Sequence, residues 1–526
     1  MNKVGIIHEL WHARCQTAAR RFRGALDDPE TAQRRRLADI LRTQAHTAFG
    51  RAHGFASIRT YEEYARRVPL SDADDLARAV ERMGSGEAHV LTRDPVRRWV
   101  PTSGSTSARK LIPWTRGLHR DFSMALDPWI DDLFRRWPEL KAGPAYWSVS
   151  PALPEEAYGG IPVGFEDDTA YLGGALGRWL SAALAVPSEV RHETDIEAFR
   201  FRTLLHLVKA EELRLVSIWH PTFFRILMES LPRHAESIAQ ELHDTWRRTA
   251  RAKALEKYNP SHPGKLWPHL GLISAWGKPD SPEVRDLTRL FPDVAFQEKG
   301  LLATEGVVSL PYAHTHPLAV TSHLVEFIDE ADGVRPAWAV EAGKHYEVVL
   351  TTGGGLYRYR LRDRVEITGF LRSTPCLRFL GRAGGGSDMR GEKLEENFVA
   401  GVLDRLLPAD ARFRILEADD ADDPPGYTLH WVAGDEAADT RDLAELLDTA
   451  LRENPHYRLC RFLGQLRPAS VLRLRPGEEA QWISHGGVKP GALGKRAVRS
   501  DENKGQPMHL NHVNELYERR DFTCTQ

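Results

Sequence analysis

A chain of 526 residues with 42% hydrophobic and 27% charged positions can bury a large core, and its length predicts more than one domain. A formal net charge of −2 leaves no global field to draw it to nucleic acid or anionic lipid. Cysteines at 15, 376, 460 and 524 are too scattered for a zinc site or a disulfide framework, and no run of about 18 apolar residues predicts a membrane span, so the chain reads as soluble and cytoplasmic.

Met1 to Arg20 alternates apolar and basic residues without a compact apolar segment or a small-residue cleavage site, which argues against a secretory signal. Thr31 to Arg82 is rich in Ala, Arg, Leu and Glu and predicts helices, with Pro69 and Ser71-Asp72-Ala73-Asp74 at the entry of one. The next segment is the most informative: Thr102-Ser103-Gly104-Ser105-Thr106-Ser107-Ala108-Arg109-Lys110. Its flanks, Val96 to Pro101 and Lys110 to Thr115, predict short strands, which makes the hydroxyl-rich run a tight loop between them. Hydroxyls and unpaired N–H groups converge in such a loop, Gly104 allows close approach to the backbone, and two cations follow, so a polyphosphate is the natural guest. The spacing is not that of a Walker A loop.

Gly117 to Leu133 has helical spacing, Tyr146 to Val149 reads as a strand, and the Pro/Gly-rich stretch from Pro151 to Gly174 predicts loops. Two strand–turn–helix units follow. Leu213 to Trp219 is a continuous apolar run of the kind found in a buried parallel strand, with Pro221 starting a helix that reaches Leu231; Leu270 to Trp276 repeats the pattern and leads through Pro279 and Ser281 into Val284 to Leu290. Glu241 to Lys257 predicts one polar surface helix between them. The alternation argues for an α/β core.

Strands dominate from Val294 to Phe379. Period two in Leu356 to Asp363 puts Arg358, Arg360 and Arg362 on one face, expected to be solvated or salt-bridged, and Tyr357, Tyr359, Leu361 and Asp363 on the other. Gly384-Gly385-Gly386 is the best hinge candidate. Beyond it, a helix carrying Leu394, Phe398 and Val402, a hairpin around Asp422 to Gly426 and a helix with Leu443, Leu446, Leu447, Ala450 and Leu451 on one face predict a small α+β unit.

Three further segments accompany the hydroxyl-rich loop: Gly300-Leu301-Leu302-Ala303-Thr304-Glu305-Gly306, Tyr357-Arg358-Tyr359-Arg360-Leu361-Arg362-Asp363, and Gly381-Arg382 followed by Ser387 to Glu395. In this order, and with Asn454-Pro455-His456-Tyr457, they resemble the adenylate-forming superfamily and, within it, the auxin-responsive promoter family of acyl acid–amido synthetases. The resemblance runs from about Thr43 to about Lys495. It implies an α/β architecture, with a large adenylation domain (residues 1–383: β-sheets with flanking helices and a β-rich subdomain), a hinge (384–386), a mobile α+β lid (387–500) and a polar tail (501–526). It also implies that ATP and a small carboxylic acid form an acyl-AMP, which an amine or amino acid then converts to an amide. In the roles so implied, Ser103, Gly104, Ser105 and Thr106 hold the phosphates, Thr304 places a hydroxyl on the α-phosphate, and Glu305 binds Mg²⁺. Asp363 takes the ribose hydroxyls, with Arg382 nearby. A lid lysine, Lys489 in preference to Lys495, links the acid to the α-phosphate. Relatives carry tyrosine where Leu301 stands, glycine near Ala108 and glycine before the aspartate, where this chain has Arg362. A thioester-forming synthetase and a non-catalytic nucleotide-binding relative are the alternatives. The acyl pocket is expected along Arg116 to Leu133, Tyr158 to Phe165 and Trp219 to Phe223, whose aromatics suit an apolar or aromatic acid.

Overall fold

The computed structural model describes residues 2–101, 111–148, 156–164, 180–279, 281–382, 386–407, 413–420, 422–432, 440–474 and 493–494. A four-stranded parallel sheet, ordered Ala145–Trp147, Leu215–Ser217, Leu272–Ala275 and Ala295–Glu298, forms the α/β centre. Two of its crossover helices start where the sequence predicts. Pro221 occupies the first turn of Pro221–Asp244 behind the cap residue His220, and the Ser281 side chain accepts from Val284 N–H to cap Pro282–Leu290.

Three further sheets of four or five strands occur among the described residues. Leu111–Trp114, Arg98–Pro101, Ile161–Val163 and Glu156–Tyr158 make a small mixed sheet. The hairpin Glu156–Tyr158/Ile161–Val163 corrects the expectation of loops there, since its second strand runs parallel to Arg98–Pro101 with Trp99 opposite Val163. A five-stranded antiparallel sheet runs Val334–Pro336, Leu324–Ile328, His345–Thr351, Tyr359–Leu371, Thr374–Arg382. A further sheet of Ser470–Leu474, Gly426–Val432, Phe413–Asp419 and Leu493–Gly494 lies in the C-terminal region, whose own core joins Phe398, Val402, Leu429, Trp431 and Leu447. Mixed α/β layering with a parallel centre is the fold class the sequence predicts.

Several elements depart from expectation. The N-terminus is a helix, Lys3–Ala25, that buries Trp11, Cys15, Ala19 and Phe22 along one stripe. Helix Pro221–Asp244 continues through Pro232, beyond the predicted stop at Leu231. The proline removes the N–H that would bond Met228 O, and Tyr258 Oη donates to that carbonyl instead, at 3.3 Å. The predicted surface helix is divided between Pro221–Asp244 and Thr249–Glu256, and Arg251 is buried, donating to Val208 O (2.8 Å) and Leu266 O (2.9 Å). Asp72 caps Ala73–Gly84 in a reciprocal box with Asp75, where the sequence places a helix entry.

Candidate functional site

The hydroxyl-rich segment Thr102 to Lys110, the expected lid lysines Lys489 and Lys495 and the expected hinge glycines Gly384 and Gly385 lie outside the described residues. The flanks of the loop are the paired strands Arg98–Pro101 and Leu111–Trp114, with Pro101 opposite Leu111, so the chain reverses between them as the sequence predicts. Leu111–Trp114 feeds at once into helix Arg116–Arg136, whose cap Thr115 accepts from Leu118 N–H.

Thr304 and Glu305 form the tip of a hairpin between Leu302–Ala303 and Gly306–Val307. Thr304 is half-buried and Glu305 is buried, 6% exposed. The hairpin is fixed from behind by Leu301 N–H to Ser309 Oγ (2.9 Å) and Val308 N–H to Leu301 O (2.9 Å). A side chain at 306 would meet His323 Nε2 at 2.8 Å and Leu350 Cδ1 at 3.0 Å, so the residue after Glu305 must be glycine. Asp363, also buried, sits in Tyr359–Leu371 with the backbone of Arg382 opposite, at the end of the neighbouring strand.

A buried polar network joins these pieces. Val307 N–H donates to His323 Nε2 at 3.1 Å. The other ring nitrogen, Nδ1, lies 3.4 Å from Asp121 Oδ2, a Coulombic contact longer than a good hydrogen bond. Asp121 accepts from Gly353 N–H at 2.7 Å and pairs with the Arg36 guanidinium, which also donates to Ser322 O at 2.6 Å. Burial alone would raise the Asp121 carboxyl; the Arg36 charge, His323 and the Gly353 N–H outweigh it and hold the group below the usual carboxylate range. Gly353 opens the turn between His345–Thr351 and Tyr359–Leu371, and a Cβ there would come within 3.0 Å of both Arg36 and Asp121. The helix following the hydroxyl-rich loop, the Thr304–Glu305 hairpin and the turn into the Asp363 strand therefore share one anchor. Sequence reasoning missed Arg36, Asp121 and His323.

Outside the carboxyl ends of the parallel strands, Trp219 and Trp276 pack with ring centroids 4.5 Å apart, and Lys299 Nζ lies 5.5 Å from each ring. The crevice at this edge is where open α/β sheets take ligands. The C-terminal region docks beside it: Arg390 pairs with Glu283 at 2.8 Å, and Gln465 donates to Thr222 Oγ1 at 2.9 Å. His220, in contact with Thr222 Oγ1 at 2.8 Å, is pushed down to about 4 by burial and then by the Arg390 charge. Its folded value lies below the ordinary 6.5, so the unfolded chain takes up this proton first as the medium acidifies. Its contribution is complete above pH 6.5 and is lost toward pH 4, about 3 kcal/mol over that interval. His220→Asn, which keeps a capping side chain, is expected to flatten unfolding free energy against pH between those limits; an unchanged slope in denaturant titrations contradicts it.

The arginine face is salt-bridged, as one branch of the expectation had it, but regular alternation fails. Arg358 and Arg362 have φ of +47° and +63°, and Arg358 turns into the core against Glu326. Arg360 pairs with Glu347 at 2.8 Å and Arg362 with Asp72 at 3.3 Å.

Among the described residues, no cluster of three or more His, Cys, Asp or Glu side chains could cage a metal, and no helix is long and apolar enough to cross a membrane. A buried carboxylate such as Glu305 suits Mg²⁺, which takes one or two protein carboxylates and completes its shell with substrate phosphates and water.

Residues 18–278 match the GH3 family N-terminal domain and residues 316–382 match the GH3 family central domain. The chain is 25% identical to the probable indole-3-acetic acid-amido synthetase GH3.12 of Oryza sativa subsp. japonica, over 78% of this chain and 80% of that protein. It is 28% identical to a GH3 domain-containing protein of Mus musculus over 46% of this chain and 51% of the mouse protein. Among solved structures, the GH3.15 acyl acid amido synthetase matches over 90% of this chain and 93% of its own, with TM-score 0.58 and 18% identity. AtGH3.15 in complex with 2,4-DB gives TM-score 0.60 at 18% identity, over 92% and 94% of the two chains. At that identity the structural match establishes the fold.

Proposed function

This chain belongs to the GH3 family, and on that footing we propose that it is an AMP-forming ligase that joins a small carboxylic acid to an amine, an amino acid in the first instance. The acid's carboxylate oxygen attacks the α-phosphorus of ATP and pyrophosphate leaves. The amine nitrogen then attacks the acyl carbon, AMP departs with the C–O electron pair, and the amine proton passes to solvent. The observation that carries this reading is the shared anchor, which ties the Thr304–Glu305 hairpin and the turn before Asp363 to the helix that follows the hydroxyl-rich loop. The physical task is to bring a carboxylate up to a triphosphate of the same sign, so donors and positive charge must be fixed in advance. Ser103, Gly104, Ser105 and Thr106 supply N–H and hydroxyl groups for the phosphates, and Thr304 supplies a hydroxyl at the α-phosphate. Glu305 holds Mg²⁺, which when bound neutralises phosphate charge. Asp363 accepts from the ribose hydroxyls beside Arg382.

The segment from Ser387 to Ser500 acts as the lid, turning about Gly384 to Gly386, with Lys489 delivered to the carboxylate and α-phosphate and later withdrawn to admit the amine. The Trp219–Trp276 pair and the Trp129–Trp147 pair, with centroids 5.9 Å apart, support an aromatic or apolar acyl group. Buried Cys15, Cys376 and Cys460 support a reducing, cytoplasmic setting.

The test is acid-dependent ATP–pyrophosphate exchange across an acid panel, followed by amine addition and mass analysis of products. Amide and AMP are expected. Nucleotide binding without exchange for any acid defeats the ligase reading, and product only with coenzyme A reassigns the acceptor. Asp363→Ala is expected to weaken nucleotide binding by about tenfold to a hundredfold, the loss of hydrogen bonds to a charged acceptor. Calorimetric titration checks it, and unchanged affinity removes the ribose role.

A further inference from the structure

We propose that His323 is a positioning residue for adenylation: its Nε2 holds the Val307 N–H, and through it the Thr304–Glu305 tip, in the geometry that meets the triphosphate. The inference rests on the reading that Glu305 acts at the ATP phosphates. Val307 is two residues past Glu305, and its N–H donates to Nε2 at 3.1 Å. A nitrogen that accepts from an amide carries no proton, so the ring's N–H is on Nδ1, which lies 3.4 Å from Asp121 Oδ2 without an aligned hydrogen bond to it. His323 and Asp121 are both fully buried, where a polar contact that serves only packing could be replaced by an apolar one. Each member is instead spoken for by a different segment. Asp121 is held by Arg36 and by Gly353 N–H, Arg36 by Ser322 O, and the His323 carbonyl by Gln33 Nε2 at 2.7 Å. The absence of a Cβ at Gly306 lets the imidazole reach the hairpin backbone, since a methyl there would lie 2.8 Å from Nε2. The ring is thus a rigid strut from the helix Arg116–Arg136 to the hairpin. A strut of this kind acts on the reaction through Glu305 and touches no substrate itself.

Two near-isosteric variants separate positioning from packing. In His323→Gln the amide oxygen reaches the Nε2 position and can still accept from Val307; in His323→Asn it reaches only the Nδ1 position. Hydrogen exchange of the segment 304–308 in the ligand-free protein is expected to stay near the wild-type rate in His323→Gln and to rise about tenfold or more in His323→Asn. Acid-dependent pyrophosphate exchange should fall about tenfold to a hundredfold in His323→Asn, with a higher Mg²⁺ concentration for half-maximal rate, and recover in His323→Gln. Equal amide exchange in the two variants overturns the strut. Equal activity beside faster amide exchange overturns its role in adenylation. If both variants lose thermal stability alike, the amide-exchange ratio still decides, because it compares the two with each other. The parent reading fails separately: it falls if Glu305→Gln leaves exchange intact, whatever His323 does.

Discussion

Glu305→Gln should lower acid-dependent ATP–pyrophosphate exchange by about a hundredfold to a thousandfold while leaving the fold in place. The substitution keeps the side chain's size and removes its charge, the property a hard divalent cation requires of a ligand. The hairpin that presents Glu305 has ties of its own. Its frame is Val308 N–H to Leu301 O, Leu301 N–H to Ser309 Oγ and Val307 N–H to His323 Nε2, all made by other groups. A variant with wild-type melting behaviour and unaltered acid binding, but with exchange lost, places the defect at the phosphates. Exchange within about threefold of wild type would remove Glu305 from the reaction. A rise in KM for the acid alone would move it to the acyl pocket, because only an interaction stronger in the transition state lowers the rate at saturation.

What the sequence disclosed and what it hid follow from the range of the interactions concerned. The parallel strands and the helix starts at Pro221 and just after Ser281 are legible because the signal is local: an apolar run, then a capping residue and a proline within a few positions. The Thr304–Glu305 hairpin and the Asp363 strand were visible as short motifs. The anchor beneath them was not, because Arg36, Asp121, His323 and Gly353 come from four separate segments and each alone reads as an ordinary polar residue or turn glycine. The N-terminal helix was within reach, since Trp11, Cys15, Ala19 and Phe22 repeat at helical spacing, but interspersed arginines masked the stripe. Pro232 misled for a tertiary reason: a helix stop is the local rule, and Tyr258 satisfies the carbonyl that the proline strands.

Arg358 shows the same limit on the stability side, and Arg358→Met should destabilise the protein by about 3–5 kcal/mol. The guanidinium meets Glu326 through Nε at 3.2 and 3.1 Å and through Nη2 at 3.0 Å, with both side chains buried. Its Nη1 donates to Ala65 O at 2.8 Å and Val68 O at 2.9 Å, closing the end of helix Tyr61–Arg67. Methionine fills the space but leaves Glu326 with the Tyr61 hydroxyl, at 2.9 Å, and no cation, in a site closed to water. That uncompensated charge, more than the lost attraction, sets the size of the effect. The double variant Arg358→Met with Glu326→Leu should therefore recover most of the loss, giving a coupling energy of opposite sign to the single defects. Denaturant unfolding of the four proteins in the cycle checks this; a single-variant loss below about 1 kcal/mol, or an additive double, would mean that water or a rearranged side chain reaches Glu326. The local backbone gives a second readout. Arg358 N–H bonds Thr351 Oγ1 at 2.9 Å and its carbonyl accepts from Ser71 N–H at 3.0 Å, so the positive-φ residue fixes where Tyr359–Leu371 begins. Asp363 lies five residues further along that strand. Nucleotide affinity should consequently fall in Arg358→Met even at temperatures where the variant is fully folded, and return in the charge-free double, because the strand start is restored once Glu326 no longer seeks solvent.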